Sequence, residues 1–294
     1  MKPPWRNSGP DALGVSPASV GSDGIEVKAT DARLISSMRA PFLSVLVPAF
    51  NEEGRIARTV ADIVAELDRL ALEAELIVVD DGSTDRTASI VEAAARGDAR
   101  VALVRAEHAG KGATVRRGML AARGAWRFLA DADLSMPMSE LPRFLDATAR
   151  GVDVLVGSRE AKGARRVGEP WARHAIGRVF NWMVKLVVLR GIDDTQCGFK
   201  LFSARAAETL FPLQRLDGFG FDVEILFLAR RAGFAIREIP VTWVWGRGSK
   251  VNLASGARGF LDLVAVRWNQ ARGVYPPRGA VVTPPAPAGR ERQT

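Results

Sequence analysis

Phe128–Pro137 reads FLADADLSMP, a short apolar run that breaks into two aspartates one residue apart, Asp131 and Asp133. A strand that ends in acid either meets water or aims hard oxygen ligands at a cation, and its neighbours decide between the two. Upstream, FLSVLVPAF (Phe42–Phe50) is a β-rich run, followed by a helical pattern over residues 56–72 with apolar Ile56, Val60, Ile63, Val64 and Leu67. ELIVVD is a second strand ending at Asp80, with a helix over residues 84–95 behind it. RVALVR is a third strand, GATVRRGMLAA a third helix, and AWRFLAD a fourth strand ending at Asp131. A helix with Ser139 as its N-cap and a strand VDVLVGS ending at Ser158 continue the pattern. Such repetition gives an α/β fold, a mostly parallel sheet with helices on both faces.

Ligands of such sheets bind beyond the carboxyl ends of the strands, and polar residues cluster at those ends. Asn51-Glu52-Glu53 follows strand one, Asp80-Asp81-Gly82-Ser83 strand two, and Asp131-Ala132-Asp133 strand four. These clusters are expected to converge on one crevice. Crowded carboxylates repel each other unless a cation joins them, and a small set of hard oxygen ligands suits Mg2+ or Mn2+, which also hold a substrate's phosphates. HAGKGAT (His108–Thr114) lacks the glycine spacing of a phosphate loop and has Gly112 where Ser or Thr should follow the lysine. No G-x-G-x-x-G follows the first strand, which argues against dinucleotide binding. Lys111, between Gly110 and Gly112, opens a helix; it either holds an anion there together with backbone N–H groups or is a solvated lysine in a glycine turn.

The 294 residues carry a net charge of +8, unevenly placed: 19 basic and 21 acidic side chains in residues 1–150, 22 and 12 in residues 151–294. A basic second half suits an anionic partner. Cations and aromatic residues do not interleave as in RNA-binding modules, which leaves a basic nucleic-acid-binding protein as a remote alternative. One cysteine, Cys197, excludes an intrachain disulfide and a cysteine metal cluster. The first residues lack the apolar core of a secretory signal, and no run reaches the ~18–20 apolar residues of a membrane span. Residues 1–40 read as a disordered lead-in, and the Pro-rich segment from Tyr275 to the end as a disordered tail.

VLVPAFNEE, VVDDGSTDRT, HAGKGATVRRGM and DADLSMP, in that order, resemble the nucleotide-sugar half of a family 2 glycosyltransferase of GT-A (Rossmann-like) fold. GSRE, DTQCGFKLF, FDVEIL and EIPVTWVWGRGSKV further resemble the dolichyl-phosphate β-glucosyltransferases, and the likeness runs from about Leu43 to about Asn269. It implies a nucleotide-sugar-binding half over residues 41–160 and an acceptor-binding half over 161–274. It also implies an inverting transfer of glucose from UDP-glucose to a polyprenyl (dolichyl-type) phosphate, with GDP-mannose or another nucleotide sugar as the alternative donor. Pro48, Ala49, Asn51 and Glu52 would line the nucleotide pocket beside Asp80 and Asp81, with Asp81 on the base. Lys111 and Gly112 would close over the nucleotide. Asp131 would lie near ribose and metal, followed by Ala132, and Asp133 would be the direct ligand of Mg2+ or Mn2+. The resemblance puts Arg159 near the phosphates and Gln196, Gly198, Phe199 and Lys200 at the donor-sugar and acceptor edge. Asp222 and Glu224 fall where relatives carry a base, and Ser249 and Lys250 in a closing segment.

A polyprenyl phosphate is already an anion near neutral pH and needs no strong base. Asp222 and Glu224 are therefore expected to position the sugar or orient a cation, unless Glu224 simply pairs with Arg230 or Arg231. Arg159, Lys200, Arg247 and Lys250 are the candidates for holding the acceptor phosphate. Residues 176–191 and 259–273 form apolar helices with flanking cations and tryptophan, which lie in a membrane interface or cover the sheet. Trp243, Trp245 and Trp268 line a prenyl path or pack the core. The whole predicts a cytoplasmic enzyme, peripheral at the cytoplasmic face of a membrane.

Overall fold

The computed structural model describes residues 40–189, 191–246 and 253–279. Nine strands and eight α-helices follow one another along them, alternating through the first half: β1 (Leu43–Ala49), α1 (Ile56–Leu70), β2 (Ala74–Asp81), α2 (Thr87–Gly97), β3 (Val101–Ala106), α3 (Lys111–Ala121), β4 (Trp126–Leu129) and α4 (Leu141–Thr148). Then follow β5 (Val154–Ser158), β6 (Arg165–Val167), α5 (Trp171–Val187), β7 (Lys200–Ser203), α6 (Ala204–Leu210), α7 (Phe221–Arg231), β8 (Ile236–Pro240), β9 (Thr242–Val244) and α8 (Leu253–Ala271). Seven strands form one sheet in the order β3-β2-β1-β4-β7-β5-β8, and β6 pairs with β9 in a second, two-stranded sheet.

The strands read as continuous apolar runs because both faces of the sheet are covered. Successive side chains divide between two cores: Val45, Val47, Leu76 and Val78 face α1 and α4, while Leu46, Ile77 and Val79 face α3 and the helices of the second half. Helix α1 follows from Ile56, Val60, Ile63, Leu67 and Leu70, a single stripe at helical spacing that is buried throughout. It stops at Ala71, which takes a left-handed φ of 50° and donates its N–H to the last turn.

The parallel pairings of β1 with β2 and β4, Ala49 opposite Asp80 and Leu46 opposite Leu129, bring the carboxyl ends of these strands to one edge. β7 alone runs antiparallel, inserted between β4 and β5. Its first residue, Lys200, stands opposite both Leu129 and Val156, so one lysine is threaded between the ends of two parallel strands.

Two expectations need correction. Ser139 lies inside a 3-10 turn, Met138–Glu140, and α4 starts at Leu141; Pro142 in its first turn, which needs no N–H partner there, sets that start. The segment from Tyr275 does not leave the body at once, because Tyr275 is buried against Phe227. Among the described residues no helix is long and apolar enough to cross a membrane.

Candidate active site

The loops after β1 and β2 are stitched together by their own polar residues. Asn51 takes a left-handed φ of 51°, a conformation its short amide side chain tolerates. Its Oδ1 accepts the Thr84 N–H at 2.9 Å and its own N–H donates to Ser83 Oγ. Glu52 N–H donates to Thr87 Oγ1 at 2.7 Å, and the Glu52 carboxylate meets Arg55. Pro48 is half-buried and Ala49 buried beneath them. Asp80 is buried, with Oδ2 accepting the Ser83 N–H.

Asp81 looks the other way. Its Oδ1 and Oδ2 accept the N–H groups of Ala109 and Gly110, each at 3.0 Å, and His108 Nδ1 stands 2.8 Å from Oδ2. One buried carboxylate thus shapes the whole turn before α3. His108 in turn stacks on Phe50, ring centroids 4.3 Å apart, forming an aromatic ledge over the end of β1. The turn aims Lys111 at Asp131: Nζ to Oδ1 is 2.6 Å. Burial alone would push the Asp131 carboxyl up, but Lys111 beside it, with Lys200 and Arg159 beyond, holds it below its ordinary value. Asp131 is packed against Gly198 so closely that a Cβ on Gly198 would fall 2.0 Å from Asp131 Oδ2. Gly198 is glycine to make room for this carboxylate.

The start of α3 is not an open anion site. Gly112 and Ala113 donate their N–H groups to the Asp217 carbonyl, and a Cβ on Gly112 would meet Leu216 O at 2.5 Å. Gly112 therefore seats the 214–220 loop rather than closing over a ligand. The cation, Lys111, is the group this helix start presents to the crevice.

Asp133 differs from Asp131 in every respect. It is exposed, and among the described residues its Oδ1 accepts the Ser135 N–H of its own turn at 2.9 Å. Ala132, between the two, is buried with its carbonyl taken by Thr59. Among the described residues no three His, Cys, Asp or Glu side chains form a ready-made metal cage. The donor chemistry still fits Mg2+ or Mn2+, since such ions keep several waters and bind one or two carboxylates plus substrate phosphates. Asp133 is the carboxylate free for that role, and Asp131 is already shared with Lys111.

The second half supplies ion pairs. Arg159 donates Nε and Nη2 to Asp194 at 2.7 and 2.8 Å, and its N–H also reaches Asp194 Oδ2. Burial raises the Asp194 carboxyl, but the Arg159 charge and hydrogen bonds outweigh it and hold it low. The N–H groups of Asp193 and Asp194 are fixed in turn by the Glu238 carboxylate. Lys200, fully buried, donates to the Cys197 carbonyl at 2.6 Å and pairs with Asp222 at 2.6 Å. It is a buried counter-ion at the floor of the crevice rather than a hand for an incoming phosphate. Burial pushes the Asp222 carboxyl up against the pull of Lys200 and Lys111.

Glu224 takes neither expected role. It is fully buried, and its carboxylate accepts the N–H groups of Arg215 and Leu216 and the Tyr275 hydroxyl. Arg231 bonds the Pro276 carbonyl instead. Phe199 is a core residue, edge-on to Phe128 and Phe144, and Trp243 is buried beneath Arg159 and Arg166. Gln196 is half-buried and Trp268 exposed. Arg247, Ser249 and Lys250 lie outside the described residues.

Sequence reasoning missed Asp194, Gln214 and Asp262. Gln214 donates to the carbonyls of Gly112 and Leu216, and Asp262 accepts the Gly220 N–H that precedes α7. For Asp194 a signal was present: it opens DTQCGFKLF, the stretch that also carries Gln196, Gly198, Phe199 and Lys200.

The sequence profile described as glycosyl transferase family 2 matches residues 44–211. The dolichyl-phosphate beta-glucosyltransferase of Saccharomyces cerevisiae is 32% identical over 255 residues, covering 80% of this chain and 76% of that one. The human dolichyl-phosphate beta-glucosyltransferase is 31% identical, covering 79% of this chain and 77% of its own. Among solved structures, glucosyl-3-phosphoglycerate synthase from Mycobacterium tuberculosis, in complex with Mn2+, UDP-glucose and glycerol 3-phosphate, superimposes with a TM-score of 0.56 at 18% identity, covering 85% of this chain and 87% of that one. That likeness supports the GT-A fold.

Proposed function

The chain belongs to glycosyl transferase family 2, and from that premise we propose that it moves glucose from UDP-glucose to a polyprenyl phosphate, leaving a β-linked sugar. The observation that carries this reading is the chain of contacts Asp81 to the 108–110 turn, Lys111 and Asp131, with Asp133 left exposed beside it. The similarity to dolichyl-phosphate beta-glucosyltransferases along four-fifths of the sequence supports the acceptor class.

The donor nucleotide would lie over the ends of β1 and β2, against the Phe50–His108 ledge and the stitched 51–53 and 83–87 loops. Lys111 would exchange part of its bond with Asp131 for a diphosphate oxygen, a charge-assisted contact at the mouth of the crevice. Asp133, with Asp131 behind it, would hold Mg2+ or Mn2+, which when bound supplies positive charge to the departing diphosphate. The floor of the site is preorganised by the Lys200–Asp222 and Arg159–Asp194 pairs, which fix charges without solvent reorganisation. No residue needs to take a proton from the acceptor, because a phosphate monoester is ionised near neutral pH. Asp222, drawn to Lys200, is left to position the sugar.

The acceptor is a lipid, and α5 and α8 pack on each other with Trp171, Trp182, Leu186, Leu261, Val264 and Trp268 exposed. A face this apolar, with Lys and Arg along it, suits a peripheral stance in a membrane interface on the cytoplasmic side. Purified protein is to be incubated with Mg2+ or Mn2+, a short-chain polyprenyl phosphate and a panel of UDP- and GDP-sugars. The expected product is a prenyl-phosphate glucose of β configuration from UDP-glucose. A mannosyl product from GDP-mannose would overturn the donor assignment, and turnover of donor without any lipid-linked product would overturn the acceptor.

A further inference from the structure

A cavity of about 290 Å3 lies against α5, lined by Glu160, Arg178, Asn181, Trp182, Lys185 and Asp193. Glu160 directly follows Arg159 and Asp193 directly precedes Asp194, so the cavity is walled by the neighbours of the Arg159–Asp194 pair at the edge of the crevice. None of the six residues belongs to the donor site described above.

Helix α5 carries two stripes side by side. Trp171, Ala175, Val179, Trp182 and Leu186 follow one another at helical spacing and are all exposed, Trp171 at 83% and Trp182 at 62%. His174, Arg178, Asn181 and Lys185, one position earlier each, form the adjoining polar stripe, whose last three members line the cavity. An apolar stripe that faces outward and a cationic stripe that faces a pocket are the two halves of an amphiphile's complement. Arg178 and Lys185 are two turns apart, about 10.5 Å of helix rise, so two long side chains can converge on one phosphate between them.

Each cation is paired with a carboxylate that lines the same cavity. Arg178 Nη1 is 3.6 Å from Glu160 Oε2, an ion-pair distance without a hydrogen bond, and Lys185 bonds the half-exposed Asp193 carboxylate at 2.5 Å. The carboxylates have other support when the cations turn away. Glu160 keeps Arg166 at 2.6 Å with His174 at 3.4 Å, Arg166 also holds Glu169, and Asp193 is open to water. Exposed pairs of this kind are easily exchanged for a doubly charged oxyanion.

We propose that this cavity is the acceptor's headgroup site: Arg178 and Lys185 capture the phosphate of a prenyl monophosphate while its isoprenoid chain lies along the Trp171–Trp182–Leu186 stripe. The inference rests on the lipid-phosphate reading of the reaction. It gives a role to two cations outside the motifs quoted from the sequence, and it leaves Arg159 on Asp194.

The test compares the full-length protein with Arg178→Gln, Lys185→Gln and the double variant, using a soluble short-chain prenyl phosphate and UDP-glucose. The expected result is a rise in acceptor KM of roughly tenfold for each single change and roughly a hundredfold for the double, with UDP affinity unchanged. Lys185→Arg is expected to restore most of the loss. Wild-type acceptor KM in a double variant that still binds UDP would overturn the cavity assignment alone. No prenyl product from the wild-type protein with any donor would instead sink the reaction itself. Unchanged KM together with lost binding to phosphatidylglycerol vesicles would assign the cations to bilayer headgroups and overturn the proposal as well.

Discussion

The two halves of the molecule weight charge differently around the crevice, although Lys111 pairs with Asp131 in the first and Glu224 and Glu238 hold main-chain amides in the second. In the donor half, carboxylates and amides bond the main chain: Asp81 holds the N–H groups of Ala109 and Gly110, and Asn51 holds that of Thr84. In the acceptor half, carboxylates meet cationic side chains, Asp194 with Arg159 and Asp222 with Lys200. A carboxylate on backbone amides fixes the shape of a loop and keeps its charge for a ligand nearby. A carboxylate on a buried cation is neutralised, and its loss exposes the partner. Loss of an exposed donor-half carboxylate should therefore show up in turnover, and loss of a buried acceptor-half ion pair in stability.

Asp133→Ala is the sharpest break in the donor half. Among the described residues Asp133 bonds its own turn, so the variant is expected to keep its melting temperature within about 1 °C while transfer falls by more than roughly 10³-fold. Product formation and a thermal melt on the same preparation check both. Near-normal turnover would remove Asp133 from the metal site.

Asp194→Asn makes the opposite break. It leaves Arg159 facing a neutral amide in a setting where the side chain is only 20% exposed, a loss of about 3 kcal/mol of stability at pH 7. The sign of its pH dependence follows from the low carboxyl of Asp194. A carboxylate whose folded pKa lies below its unfolded value adds stability that is full above about pH 4 and is lost as pH falls through the folded value. Denaturant melts of wild type and variant should thus differ most at pH 7 and converge below pH 4. A gap that stays constant in acid would show that packing around Asp194, not its charge, sets the stability.

The same contrast explains what the sequence disclosed. The parallel sheet was legible because β1, β2, β4 and β5 are apolar runs with turn residues at their ends. Most donor-half residues were legible because they lie at or just past a strand end, and Lys111, five residues beyond β3, because it opens a helix between two glycines. Asp131 and Asp133 form one motif, yet only three-dimensional packing separates them: Gly198, over sixty residues away, closes on Asp131 and leaves Asp133 to solvent. Strand β7 escaped because KLFS is four residues with a buried lysine at its head, legible only once Asp222 stands opposite. Glu224 was misread for a related reason, since its partners lie in a loop eight residues back and at Tyr275, beyond any helical spacing.

Tyr275 offers the smallest and most selective break. Its hydroxyl donates to Glu224 Oε1 at 2.6 Å and accepts from Asn269 at 3.2 Å, while its ring packs on Phe227. Glu224 in turn brackets the Arg215 and Leu216 amides, and the same loop receives Gly112 at the head of α3. Tyr275→Phe keeps the ring and removes one hydrogen bond from a buried carboxylate that retains its two amide donors. The expected cost is about 1 kcal/mol, a melting temperature lower by roughly 2–4 °C. Because the turn before Lys111 is held from the other side by Asp81, turnover should change by less than about threefold. A larger drop in turnover than in stability would mean that the C-terminal segment reaches the donor site through the 214–220 loop, and that the boundary between a donor half that acts and an acceptor half that holds runs through Glu224 rather than around it.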